Sequence, residues 1–355
     1  MKWGCTGGFA SGRGSITDVD AYHAKRLASL PIMRAILDVI LPVFAIILTG
    51  YLAGRIKLLG PDSSEALNKF CYWFALPPVL FLGPARVPLD QVFNLPFIAT
   101  FMGGVGITWA IALVVGVVAF RDRPAVTALA LLCGTFSNAG YMGIPLFLAA
   151  FGPQGVLPAV IATVSYTVLL VGATVVIVEA DLSGRGNVAT AAVNVLKGLA
   201  KSPLVVAPLL GLSWNLGGVP LPKPIVNFGE LLGAAAGPAA LFAIGLFLST
   251  RSLGTLVGGK KLAEVGWLVY VKLIVQPLAT WWLAGVFGLD SYWRGAAVIL
   301  AALPTAALCF VLAQQYKQFV ERASATILIS TVLSPIVLSI LMILFEGIRP
   351  AAIPG

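Results

Sequence analysis

An asparagine stands seven residues before a proline in the apolar stretch SNAGYMGIPLF, as Asn138 and Pro145. An amide can donate to a carboxylate and accept from a hydroxyl or ring N–H, so Asn138 suits a cargo carrying both kinds of group; alternatively it could clip two helices together. A second proline, Pro304, lies about 159 positions on in ILAALPTAAL. A proline inside a helix removes one backbone hydrogen bond and crowds the preceding turn, at a cost of about 3 kcal/mol, and in hydrocarbon the freed carbonyls lack water. Such breaks persist where protein or a wet cavity satisfies the backbone, so Pro145 and Pro304 mark candidate cavity positions, and Gly140, Gly143 and Pro145 in one stretch suggest an unwinding. If both helices break near mid-membrane and run in opposite directions, two half-helix N-termini converge. Each carries free N–H groups and a partial positive charge, and together they would hold an organic anion. The candidate binding set is Ser137, Asn138, Tyr141, Gly143, Ile144, Pro145, Pro304 and Thr305. Simple kinks in packed helices are the competing account of the prolines.

Four ionisable residues fall inside apolar segments: Asp38, Lys69, Glu230 and Lys272. All four read as lying within two to three turns of a segment end, from where they can snorkel to water. Lys69 and Glu230 are the candidates for coupling transport to H+ or Na+. No cofactor or metal is expected. Cys5, Cys71, Cys133 and Cys309 lack CxxC spacing, and the only histidine, His23, has no metal-ligand companion. GTLVGGKK at Gly254–Lys261 approaches a phosphate loop, but Lys261 replaces the Ser or Thr and no strand precedes it. The 14 acidic residues are scattered with no DDxxD-like cluster, which argues against an enzyme.

The elements that must position these residues are membrane helices. With 59% hydrophobic and 10% charged residues and a mean hydropathy of +0.97, the 355-residue chain has more apolar surface than a soluble domain could bury. Length, apolarity and loop punctuation predict ten helices at 35–56, 64–83, 96–120, 125–151, 154–178, 203–218, 225–249, 262–288, 292–316 and 322–346. The proline and glycine pattern repeats: Pro42 and Gly50 recur as Pro203 and Gly211, and Pro77 with Phe81 recurs as Pro238 with Phe242, at an offset of about 161. Five helices per half is odd, so the halves enter the membrane in opposite senses. The expected fold is therefore an all-α integral membrane protein of ten helices in two inverted five-helix repeats, with helices four and nine broken at prolines. Its domains are a disordered tail at 1–32, a first repeat at 33–180, a cytoplasmic linker at 181–202, a second repeat at 203–348 and a short tail at 349–355. Met33 is a more natural start for a membrane protein than Met1, and residues 1–32 lack the apolar core of a signal peptide.

The net charge of +9 does not indicate nucleic acid, because the basic residues sit singly or in pairs between apolar runs. Thirteen of them, including Arg121, Arg123, Lys260, Lys261, Lys317 and Arg322, follow odd-numbered helices, and nine lie on the opposite side. The positive-inside rule then puts both termini outside a cell membrane and the linker in the cytoplasm.

SNAGYMGIPL and ALPTAALCFVLAQQY resemble the fourth and ninth helices of the auxin efflux carrier family, which includes the plant PIN transporters. PVFAIILTGYLAGR, SPLVVAPLLGL and STVLS resemble its repeat openings and tenth helix, so the likeness runs from Met33 to the C-terminus. The resemblance implies a mobile transport domain and a scaffold domain, two proline-broken helices crossing at the site, elevator-type alternating access and often a homodimer. By motif, Asn138 and Pro145 fall on the substrate-contacting asparagine and first crossover proline, and Pro304 on the second. The connection between the halves is short and Gln314 and Gln315 stand where plant sequences tend to carry charge. A small organic acid such as malonate or malate is therefore the expected cargo rather than an indole acid, and export the expected direction. A channel, or a sodium-coupled symporter resembling the bile acid family, would share the broken-helix logic.

Overall fold

Helix follows helix along the chain. The computed structural model describes residues 41–86, 89–182, 193, 196–197, 200–250 and 259–345; the expected N-terminal tail, Asp38 and most of the linker lie outside them. Among the described residues no strand forms, and the only extended pairing is an isolated antiparallel bridge between Ser137 and Thr305.

Helix α1 is Leu41–Arg55, and α2 runs from Pro61–Phe70 through a π-helical turn, Cys71–Ala75, into Leu76–Arg86. Then come α3 (Leu95–Phe120), α4 (Pro124–Thr135), α5 (Ala139–Phe151) and α6 (Leu157–Leu182). The second half holds α7 (Pro203–Leu216), α8 (Lys223–Ser249), α9 (Gly259–Val286), α10 (Ser291–Ala301), α11 (Leu308–Gln315) and α12 (Val320–Leu344). Each helical stretch expected from sequence coincides with these helices to within a few residues, except that α1 is described only from Leu41. By length and composition α3, α6, α8, α9 and α12 suffice to cross a membrane.

Local chemistry fixes the ends. The Asn94 side chain accepts the Phe97 N–H at 2.9 Å to start α3, which stops where Arg121 turns left-handed at φ 54°. Asp290 caps α10 by accepting from the Tyr292 and Trp293 N–H groups at 2.9 and 3.1 Å.

The helices pack in two groups. α1 lies along the second part of α8, and α7 along the second part of α2. α3 packs on the second part of α9, α6 on α4, and the first part of α9 on α12. In the first group the two halves of the sequence meet reciprocally. A Cβ on Gly50 would stand 2.2 Å from the carbonyl oxygen of Phe242, and one on Gly211 would stand 2.2 Å from that of Phe81. Gly211 follows Gly50, and Phe242 follows Phe81, by the same offset of about 161 seen in sequence. Because backbone oxygen rather than a flexible side chain fills the space, Gly50→Val and Gly211→Val must push their helices apart. Each should destabilise the protein by about 1–3 kcal/mol, read as a lower melting temperature of the detergent-solubilised protein, and by similar amounts at the two positions.

A crossing of two unwound chains as the candidate site

Helices α4 and α5 are separated by an unwound segment, Phe136–Asn138, and α10 and α11 by another, Ala302–Ala307. The two segments cross and hydrogen-bond: the Asn138 N–H donates to the Pro304 carbonyl at 2.9 Å, and the Ala306 N–H to the Phe136 carbonyl at 3.0 Å. Pro304 thus sits inside its break, as expected. Pro145 does not. The chain is already helical from Ala139, in a π-turn over Ala139–Gly143 that continues into Ile144–Phe151, so the unwinding falls about two turns before Pro145. Pro145 instead lies inside α5, directly after its π-helical turn, the kind of backbone irregularity that accommodates a residue without an N–H donor.

The groups left by the breaks are accounted for on one side of the crossing. The Thr135 carbonyl ends α4 and accepts from Gln276 Nε2 at 3.0 Å; the Ala301 carbonyl ends α10 and accepts from Lys272 Nζ and, at 3.4 Å, from Ser137 Oγ. Thr305 donates its hydroxyl to the Cys133 carbonyl at 2.7 Å and its N–H to Ser330 Oγ at 3.1 Å. Buried backbone polar groups need such partners, most of all in a bilayer.

On the other side lies a cavity of about 190 Å³, walled by Ser137, Asn138, Gly140, Tyr141, Thr163, Tyr166 and Thr167 and by Ala306–Leu308 from the second break. Asn138 is 5% exposed, and its side-chain amide makes no hydrogen bond among the described residues. The backbone N–H groups of Gly140, Tyr141, Ala307 and Leu308 likewise donate to no backbone carbonyl among the described residues, and all four residues line this cavity. An amide and two helix starts with unused donors form a neutral, donor-rich wall, which suits an anion better than a cation.

The expected site residues therefore divide. Ser137, Asn138 and Tyr141 line the cavity, the Tyr141 hydroxyl donating to the Asn68 carbonyl at 3.4 Å. Gly143, Ile144, Pro145, Pro304 and Thr305 are buried behind it, Pro304 and Thr305 within the crossing and the other three in α5: a Cβ on Gly143 would stand 2.9 Å from Leu303 Cδ1, and Pro145 packs against Gly237. Cys71, Cys133 and Cys309 are buried free thiols.

A larger outer cavity, about 480 Å³, adjoins the first through Asn68, Tyr72, Tyr141, Phe247 and Val311, and Glu65, Lys69 and Gln314 line its mouth. Lys69 pairs with Glu65 at 2.6 Å, both side chains 68% exposed, and Glu230 pairs with Arg86 at 2.8 Å while more than half exposed. Both reach water as snorkelling side chains do. Lys272 departs from the sequence reading: it lies near the middle of α9, about 20 Å from either end at 1.5 Å per residue, and is wholly buried. Sequence reasoning also passed over Gln276 and Tyr166, which join it. The readable signal was a lysine and a glutamine four residues apart in an apolar helix, a spacing that puts both on one face.

Residues 35–342 match a protein family described as "Membrane transport protein". The chain belongs to this family, the auxin efflux carriers. It is 31% identical over 324 residues to a Rhizobium meliloti (strain 1021) protein described as "Putative malonate transporter", covering 91% of this chain and 99% of that one. An uncharacterized transporter of Escherichia coli (strain K12) is 26% identical over 302 residues, 82% of this chain and 91% of its own length. Auxin efflux carrier component 6 of Arabidopsis thaliana is 30% identical over 141 residues, 38% of this chain and 24% of the plant protein. This auxin efflux carrier family member is thus a membrane transporter, not an enzyme.

Proposed function

We propose that the protein is a secondary active carrier that moves a small carboxylate such as malonate across the cytoplasmic membrane, as an exporter. The carrying observation is the cavity at the crossing, where the unpartnered Asn138 amide and four unused backbone N–H groups surround one space. Its 190 Å³ falls below the roughly 300–1,000 Å³ typical of sites for drug-sized ligands, which favours a cargo of a few carbon atoms. The description of the Rhizobium meliloti relative as a malonate transporter agrees with that size and charge.

The architecture we assign is ten helices in two inverted five-helix repeats, counting α4 with α5 and α10 with α11 as single interrupted spans. The reciprocal Gly50–Phe242 and Gly211–Phe81 contacts support it, since an exchange of equivalent partners is what a two-fold relation between halves produces. The group of α1, α2, α7 and α8 would be the scaffold, and the group bearing the crossing would travel as an elevator. Lys69, Gln314 and Thr250 line the outer cavity near the helix ends where the basic loops gather, which supports assigning this conformation as the one open to the cytoplasm.

Proteoliposomes containing purified protein should show saturable uptake of radiolabelled malonate, accelerated by unlabelled malonate inside. Flux that rises without saturation and shows no counterflow would replace the carrier reading by a channel. Repeating uptake with sodium exchanged for N-methyl-D-glucamine, and with the pH gradient collapsed, separates Na+ from H+ coupling.

A further inference from the structure

On the face of the crossing away from the cavity, Lys272 is wholly buried in a π-helical turn, Val271–Val275, within α9. Its ammonium donates to Gln276 Oε1 at 2.9 Å and to the Ala301 carbonyl, and it forms no ion pair among the described residues. The acid of the same helix, Glu264, is two turns away and engaged by Arg322. The other ionisable groups nearby, Cys133 and Cys309 from α4 and α11, are thiols, and Tyr166 from α6 is a phenol. A buried charge in a membrane helix is costly and marks function by default, and here nothing anionic in the described chain offsets it.

What holds the ammonium is the negative pole of the breaks. Thr135 and Ala301 are the last residues of α4 and α10, and their carbonyls are met by Gln276 and Lys272. From there the hydrogen bonds run in a ring. Gln276 Nε2 donates to the Tyr166 hydroxyl at 2.8 Å, Tyr166 and Ser137 hydroxyls bond at 3.0 Å, and Ser137 donates back to the Ala301 carbonyl. Because the Tyr166 oxygen accepts from Gln276, its own proton is available to Ser137, so the bonds from Lys272 through Gln276, Tyr166 and Ser137 all donate in one direction and end on the Ala301 carbonyl, which also accepts directly from Lys272. Tyr166 and Ser137 are also cavity wall.

We infer that Lys272 is the counter-charge of the transported anion, a positioning residue whose charge raises cargo affinity from behind the crossing, with Gln276, Tyr166 and Ser137 standing between it and the cavity. The inference rests on the anion-carrier reading above. It predicts selection by cargo charge, because a fixed positive charge favours a dianion over a monoanion of the same shape.

Titration calorimetry on purified wild type, Lys272→Gln and Lys272→Met with malonate and its half-amide, malonamate, tests this. Wild type should bind malonate more tightly than malonamate. Lys272→Gln should weaken malonate at least tenfold and malonamate by about threefold, changing the ratio of the two affinities, whereas a helix clip lost for purely structural reasons would weaken both alike. Lys272→Met, which removes the charge with a similar chain length, should change the ratio in the same direction. Equal losses for the two ligands overturn the inference and leave the carrier reading standing. Should neither variant fold, a wild type that prefers malonamate overturns it as well. If no carboxylate binds the wild type, the anion reading fails, and this inference with it.

Discussion

Asn138→Ala is expected to weaken carboxylate binding by about 10- to 100-fold with little effect on the stability of the ligand-free protein. A hydrogen bond to a charged group contributes about 1.5–3 kcal/mol, which corresponds to that range. The stability half of the expectation follows from the division of labour within the residue. The backbone of Asn138 builds the crossing, donating to Pro304 and accepting from the Met142 and Gly143 N–H groups, while its side chain bonds to nothing in the described chain. Alanine keeps the first function and loses the second. Asn138→Asp should be worse than alanine, because it places a like charge against the cargo. A thermal-shift titration against small carboxylic acids reads both quantities: the ligand-free melting temperature stays near wild type while the ligand-induced rise disappears. A variant stabilised by a carboxylate as much as wild type would remove Asn138 from the site.

Gln276→Leu should have the largest effect on folding of any substitution at the crossing. This fully buried amide is the hub of the polar ring: it accepts from Lys272, and donates to the Thr135 carbonyl and to Tyr166. Leucine fills a similar volume but strands the Thr135 carbonyl and takes one partner each from the Lys272 ammonium, which keeps the Ala301 carbonyl, and from the Tyr166 phenol, which keeps Ser137. Leaving a buried donor or acceptor without its partner costs about 1–3 kcal/mol, and more for a charged group, so the summed loss is a large share of the roughly 5–15 kcal/mol by which domains are stable. Gln276→Leu should therefore give a sharply lower yield of monodisperse protein and a much lower melting temperature. The double variant Gln276→Leu with Lys272→Met should recover part of the loss, since it removes the buried charge. A single variant as stable as wild type would show that the ring contributes little.

The helices were legible because each apolar stretch is bounded by proline, glycine or charge, as at Gly60–Pro61, Arg123–Pro124 and Ser202–Pro203, and a bilayer forces such stretches into helix. The crossing was legible in its composition and less so in its register. Pro304 drew attention to the right place, whereas Pro145 pointed about two turns late, because the first break is set by pairing across the Ser137–Thr305 bridge, a tertiary contact that no local pattern encodes. Asn138 stood out as an amide in an apolar run and does face the cavity. Lys272 was hidden for a different reason. Its distance from a helix end, judged from sequence, allowed its side chain to reach water, and only the packing of α4 and α10 against α9 closes that route. Lys69 offered the same sequence signal and sits in an open vestibule, so the two lysines cannot be told apart without knowing which helix face is covered.

The central claim is that the crossing holds an anion with donors from both half-helix starts and from Asn138. An experimental structure of the protein with bound malonate tests it most directly. The account predicts carboxylate density in the 190 Å³ cavity, within hydrogen-bonding distance of the Asn138 amide and of backbone N–H groups from both Gly140–Tyr141 and Ala307–Leu308. Density confined to the outer vestibule beside Lys69, with the crossing cavity filled only by water, would contradict it.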